Sequence, residues 1–124
     1  MHRKKALIVE DEATTQRLLA GIIASEGFEV DLAGDGQTAI EMLDETNYDF
    51  ILLDIVLPKL SGIAVMEHLR ATHPSALANV IVVTGVDVAE IRALFPTVRL
   101  ALTKPVLPAR LRATVRTHSA AVGE

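Results

Sequence analysis

Short apolar runs that alternate with helix-period segments constrain this chain more than any other feature of it. Residues 6–9 are a β-prone run, stopped by the acids Glu10, Asp11 and Glu12. Residues 13–26 then carry Leu18, Leu19, Ile22 and Ile23 on one helical face, with Gly27 as a C-terminal stop. Residues 28–33 alternate apolar and acidic side chains like a half-buried strand. Gly34-Asp35-Gly36 reads as a turn, with Asp35 capping a helix that carries Ala39, Ile40 and Leu43. Residues 50–53 form a third strand ending in Asp54, and Pro58 and Gly62 punctuate the loop after it. Ile63, Met66 and Leu69 mark a third helix, closed before Pro74. Residues 80–83 are a fourth strand that stops at Thr84-Gly85, and residues 87–95 a short helix broken by Pro96. Residues 98–102 give a fifth strand, and Leu107, Leu111 and Val115 a closing helix. Strand and helix thus alternate five times, and the strands are nearly continuous apolar runs of the kind buried in parallel sheets. The fold class this predicts is α/β and doubly wound, five parallel strands between two helical layers.

At 124 residues the chain is one domain's worth, read as a single domain over 1–124. With half its residues apolar it can bury a core without staples. It has no cysteine, which excludes disulfides, thiolate metal sites and Cys nucleophiles. No apolar run approaches the ~20 residues of a membrane span, and the run after Met1–Lys5 is too brief for a signal peptide. The expectation is a cytoplasmic domain. Its charge is uneven: residues 10–54 hold 12 of the 16 acids and one base, Arg17. Residues 55–124 hold 8 bases, among them Arg110, Arg112 and Arg116 on the predicted last helix. Those three read as a solvated helix face suited to the C-terminal dipole. With four aromatics there is no stacking platform for bases, so no direct nucleic-acid binding is expected. His2, His68, His73 and His118 show no metal-ligand spacing and are expected at the surface.

In a doubly wound sheet, residues just past the carboxyl ends of the strands converge on one crevice. Here those residues are Glu10, Asp11, Glu12, Asp54, Thr84 and Lys104. Each has a plain structural explanation by itself, such as acids enriching the first turn of a helix. Together they place several carboxylates, a hydroxyl and an ammonium at one edge. Two carboxylates ~4 Å apart repel by about 4 kcal/mol at an effective dielectric of ~20, so a cation belongs among them. Hard oxygen ligands with open positions suit Mg²⁺, which readily accepts a phosphate oxygen. A carboxylate beside such an ion and a Lys can attack phosphorus, with Lys and Thr stabilising the charge that moves. The edge therefore reads as a site that accepts a phosphoryl group.

The motifs Leu7-Ile8-Val9-Glu10-Asp11-Glu12, Leu52-Leu53-Asp54-Ile55-Val56-Leu57-Pro58 with Ser61-Gly62, Val82-Val83-Thr84-Gly85 and Thr103-Lys104-Pro105 occur in that order. Over essentially its whole length the chain resembles the receiver domain of two-component response regulators. The resemblance implies a flavodoxin-like (βα)5 sheet in the order 2-1-3-4-5. It implies that Asp54 is the phosphoacceptor, and that Glu10, Asp11, Asp54 and the backbone carbonyl of Val56 hold Mg²⁺. Thr84 and Lys104 would contact the phosphoryl group, and Lys104-Pro105 would be a cis peptide. The donor would be a phosphohistidine on a sensor histidine kinase or histidine phosphotransfer protein, and the output a contact with another protein. Such a domain is a phosphoacceptor in signalling rather than a turnover enzyme.

Two positions depart from the family pattern. Three residues before Lys104, where the family has an aromatic switch residue, stands Ala101. The stretch from Thr84 to Lys104 is also short, with Pro96 before the fifth strand. Both bear on the output surface rather than on the phosphorylation chemistry. A haloacid-dehalogenase-type phosphatase would need an acid two residues past Asp54, where Val56 stands. A nucleotide or flavin binder would want a phosphate loop where Glu10–Glu12 would repel one. A degenerate receiver used as a scaffold is the remaining alternative, and the intact acids, Thr84 and Lys104 argue against it. Only a few residues follow the last predicted helix, so no output domain is expected within the sequence as given.

Overall fold

A computed structural model describes residues 4–85, 88–98 and 100–121. Five strands, β1 (Lys5–Val9), β2 (Glu29–Ala33), β3 (Phe50–Asp54), β4 (Val80–Thr84) and β5 (Leu100–Thr103), alternate with five helices. The helices are α1 (Ala13–Ser25), α2 (Gly36–Glu45), α3 (Gly62–Thr72), α4 (Val88–Leu94) and α5 (Pro108–Ala121). The strands pair in parallel in the order β2-β1-β3-β4-β5, the doubly wound arrangement the alternation predicts.

Period-two alternation along the strands sorts the core into two layers. Leu7, Val9, Ile51, Leu53, Val80 and Val82 face one side, under Leu43 of α2, Met66 and Leu69 of α3 and Ile91 of α4. Ala6, Ile8, Phe50, Leu52, Ile81 and Val83 face the other, under Ile22 and Ile23 of α1 and Leu111 and Val115 of α5. The strands β1, β3 and β4 are buried on both faces, which is why they read as unbroken apolar runs. At the edge, β2 leaves Leu32 40% exposed, and this accounts for its mixed sequence.

The local signals act as expected where one residue decides them. Asp35 caps α2 by accepting the Thr38 N–H at 2.8 Å, and Gly27 takes a φ of 95° just after α1. Several expectations need correction. Val98, predicted to open the fifth strand, lies outside it: its N–H turns back to the Phe95 carbonyl at 3.0 Å, and the strand is described over Leu100–Thr103. A 3₁₀ helix, Pro74–Asn79, which the sequence reading does not include, follows α3 and buries Leu77. Leu18 and Leu107, counted on core faces, are 54% and 62% exposed. His118, expected at the surface, is buried: its Nε2 lies 2.8 Å from the Asp49 carbonyl and its ring meets Phe50 edge-on. It continues the buried stripe of Leu111 and Val115, and the carbonyl supplies the polar partner that burial demands. Of the arginines placed on the solvated face, Arg116 pairs with Glu26 at 2.9 Å. His2 and Val86 lie outside the described residues. Among those described, no helix is long and apolar enough to cross a membrane.

Candidate functional site

Parallel strands bring their carboxyl ends to one edge, and the registers set what meets there. Asp54 sits beside Val83 and Thr84 beside Thr103, while Val9 pairs with Leu53 and so places Glu10 next to Asp54. Glu10 extends the ladder through its N–H, which donates to the Ala33 carbonyl at 3.0 Å. Its side chain and that of Asp54 are buried, and Asp11 is exposed. One carboxylate oxygen from each of Glu10, Asp11 and Asp54 lies within 4.8 Å of the other two.

Glu12 does not join them. It caps α1, accepting the Thr14 N–H at 3.1 Å and the Thr15 N–H and hydroxyl at 2.7 Å, bonds that hold its pKa below the usual carboxylate value. The structural explanation of an acid at a helix start is therefore the right one for Glu12 alone.

Lys104 supplies the cation. Its Nζ lies 2.6 Å from Asp54 Oδ2 and 3.8 Å from Glu10 Oε1. Burial by itself would pull its pKa down, but the bond to Asp54 and the charges of Asp54, Glu10 and Asp11 together raise it. Burial pushes the Glu10 carboxyl up, and the Asp54 charge adds to that. The Glu12 N–H and Lys104 oppose them without cancelling the rise. One ammonium against three carboxylates leaves an all-oxygen pocket short of positive charge. That donor set fits a hard divalent cation such as Mg²⁺.

The backbone around Asp54 is pinned from three sides. The Val56 N–H donates to Asp54 Oδ1 at 3.1 Å, the Ile55 N–H to the Val83 carbonyl at 3.1 Å, and the Gly62 N–H to the Ile55 carbonyl at 2.9 Å. Lys104 is tied to β4 by its own N–H, which donates to the Thr84 carbonyl at 3.1 Å, and the Lys104-Pro105 peptide is cis. Thr84 ends β4 with no exposed surface. Val56 is 68% exposed. Ala101 is half-buried against the core layer under α2, α3 and α4, a layer that also holds Phe95. A cleft of about 570 Å³ opens beside the acids, lined among others by Asp11, Leu18, Lys104 and Val106.

Two glycines read from the sequence as loop punctuation hold the site together by having no side chain. A Cβ on Gly62 would lie 2.5 Å from the Asp54 carbonyl oxygen, and one on Gly36 would overlap the Leu60 carbonyl. The signal available in the sequence was glycine at a helix start, which is weak until a neighbour is known. Gly62→Ala should lower stability by about 1–3 kcal/mol, the usual cost of overpacking. Gly21→Ala, on an open face of α1 with nothing within 4 Å of the new methyl, should raise it by roughly 0.5–1 kcal/mol. Urea denaturation of both variants checks this, and a Gly62→Ala protein as stable as wild type would refute the close packing.

Comparison with known proteins agrees with the fold. The family model described as "Response regulator receiver domain" matches residues 6–116. The transcriptional regulatory protein CpxR of Escherichia coli is 41% identical over 69 residues, covering 56% of this chain and 29% of CpxR. The sensory transduction protein RegX3 of Mycolicibacterium smegmatis is 41% identical over 81 residues, covering 65% of this chain and 34% of RegX3. The matches therefore span about a third of the length of these relatives. The receiver domain of Francisella response regulator 1452 superposes with a TM-score of 0.83 at 26% identity, covering 96% of this chain and 98% of that one. The response regulator TrrA of Thermotoga maritima, in complex with Mg²⁺–BeF, gives a TM-score of 0.80 at 27% identity, covering 93% and 98%.

Proposed function

This chain belongs to the response regulator receiver domain family, and from that premise we propose that it accepts a phosphoryl group on Asp54 within a two-component phosphorelay. The observation that carries the proposal is the Lys104–Asp54 contact of 2.6 Å inside a cluster of three carboxylates. The phosphodonor is a phosphohistidine of a sensor histidine kinase or histidine phosphotransfer protein. An Asp54 oxygen attacks phosphorus, the N–P bond breaks, and the leaving imidazole takes up a proton. The Val56 N–H and Lys104 orient the Asp54 carboxylate before the attack, one at each oxygen. As the acyl phosphate forms, Lys104 shifts its hydrogen bond from Asp54 to a phosphoryl oxygen, and the Thr84 hydroxyl accepts the role of second donor.

Glu10, Asp11, Asp54 and the Val56 carbonyl would hold Mg²⁺, which would neutralise charge on the transferring group. That TrrA carries Mg²⁺–BeF supports this assignment. The phosphoryl group brings about −1.5 to −2 charge and three acceptor oxygens, which draws the loops bearing Thr84 and Lys104 inward. Ala101 has only a methyl group and no ring to follow Thr84, so the response travels through the backbone of residues 84–95 to a partner protein. Receiver domains are signalling domains, and this one works in the cytoplasm without touching nucleic acid itself.

Incubation with Mg²⁺ and acetyl phosphate, read by intact mass, should add one phosphoryl group to the wild type and none to Asp54→Asn. Mg²⁺ should also raise the melting temperature, because it binds the folded cluster. Asp11→Ala should abolish both the rise and the labelling. Full Mg²⁺-dependent labelling of Asp11→Ala would show the metal site to be misassigned.

A further inference from the structure

A second convergence of ligand-type side chains lies away from the carboxylate cluster. Asp44 in the last turn of α2, His68 on α3 and His73 at the C-terminal cap of α3 bring one donor atom each to within 4.8 Å of the other two. His68 Nε2 is 2.7 Å from Asp44 Oδ1, and His73 Nε2 is 3.0 Å from the same oxygen. In a parallel βα sheet the helices run back against the strands. The C-terminal turns of α2 and α3 therefore sit at the edge of the sheet opposite Asp54.

We propose that Asp44, His68 and His73 form a binding site for a late first-row divalent cation such as Zn²⁺, distinct from the Mg²⁺ site. Two imidazole nitrogens and one carboxylate oxygen suit Zn²⁺, Ni²⁺ or Cu²⁺, whereas Mg²⁺ prefers oxygen donors throughout. Three protein ligands leave a fourth tetrahedral position for water, and all three side chains are accessible, with His73 39% and Asp44 46% exposed. With bonds of ~2.0–2.1 Å, neighbouring ligand atoms of a tetrahedral ion stand about 3.3 Å apart. The observed separations of 2.7 and 3.0 Å would widen by only about 0.3–0.6 Å to admit one.

The proton balance is simple. Without an ion, each Nε2 faces the carboxylate as a hydrogen-bond donor. To bind the ion, a neutral imidazole moves its proton to Nδ1 and presents the Nε2 lone pair, and a protonated one releases a proton. The bonds from both histidines hold the Asp44 carboxyl below its usual pKa, so the oxygen donor is already ionised. The backbone is also set: the His73 N–H donates to the Leu69 carbonyl at 2.7 Å, and the Thr72 hydroxyl to the His68 carbonyl at 2.7 Å. A bound ion would pin the end of α2 to the end of α3, two helices that pack on the same face of the sheet.

The test uses metal-free chain titrated with Zn²⁺ and followed by thermal melting, and with Co²⁺ followed by visible absorption. One equivalent should bind, giving the intense visible bands of four-coordinate cobalt. The melting temperature should rise by about 10 °C at free Zn²⁺ a hundred times the dissociation constant. Asp11→Ala should retain the effect. His68→Gln with His73→Gln should abolish it, and Asp44→Asn should weaken binding at least about tenfold. Three results would each overturn the site: no binding by the wild type, equal binding by the double histidine variant, or loss of binding in Asp11→Ala. The first leaves a hydrogen-bonded Asp–His cluster, the second places the ion elsewhere on the chain, and the third places it at the carboxylates.

Discussion

Lys104→Met should slow phosphorylation of Asp54 by about a hundred- to a thousandfold, the usual cost of removing one preorganised donor from a developing anionic charge. Its ammonium is the cation 2.6 Å from Asp54 Oδ2, at the oxygen edge where the phosphoryl group would arrive. The same change acts on the resting chain. Asp54 is only 2% exposed, and without Lys104 its charge faces Glu10 and Asp11 uncompensated. Breaking a buried ion pair from one side costs about 3–5 kcal/mol. Lys104 is 40% exposed, so solvent screening trims the loss here to about 2 kcal/mol. Mg²⁺ should recover part of that stability while leaving the rate defect in place, because it relieves repulsion without donating a hydrogen bond. Acetyl phosphate labelling time courses and melts with and without Mg²⁺ separate the two effects. Labelling of Lys104→Met at the wild-type rate would remove Lys104 from the chemistry.

Once formed, the acyl phosphate should persist. Its hydrolysis needs a water in line with phosphorus, opposite the Asp54 oxygen. By resemblance to other receivers, the residues two after the acceptor and two after the threonine flank that approach. They are Val56, 68% exposed and two residues past Asp54, and Val86, which lies outside the described residues. Neither side chain has a hydrogen-bonding atom, so they can crowd a water but cannot orient it. Val56→Asn combined with Val86→Glu should speed loss of the phosphoryl group by one to two factors of ten, if each new polar contact is worth ~1 kcal/mol or slightly more. The decay of phosphorylated protein, followed by intact mass after donor removal, measures this. A wild-type decay matching that of the double variant would mean that these positions do not gate hydrolysis.

The carboxylates of the candidate site were legible because position along a strand is a one-dimensional property. An acid that ends an apolar run must sit at the end of a strand, and parallel strands share one end. Glu10 and Asp54 follow from that rule, and Lys104 follows from the fifth run. The rule does not say which side chain turns where. Glu12 stands in the same acidic run, yet its carboxylate is taken by the N–H groups of Thr14 and Thr15 at the start of α1. Leu18 fits the apolar period of α1 as well as Leu19 does, but the sheet covers only part of that face and leaves Leu18 at the rim of the cleft. His118 fits the period of α5 too, yet with no metal-ligand spacing it is expected at the surface. Inside, the Asp49 carbonyl from a segment 69 residues away satisfies it.

By itself, the sequence determined the order of strands and α-helices, the two-faced sorting of the core and which polar residues stand at the strand ends. All three rest on spacing along one chain: period two, period 3.6, and the residue that ends each run. The tertiary structure alone decided what depends on distance between segments remote in sequence. It set Lys104 against Asp54 across 50 positions, and it drew His68 and His73 to Asp44 across 24 and 29. It also left no room for a side chain at Gly62 against the Asp54 backbone. Hydrogen bonds and steric overlap act over a few ångströms, and a chain's sequence carries no such distances until packing brings its segments together.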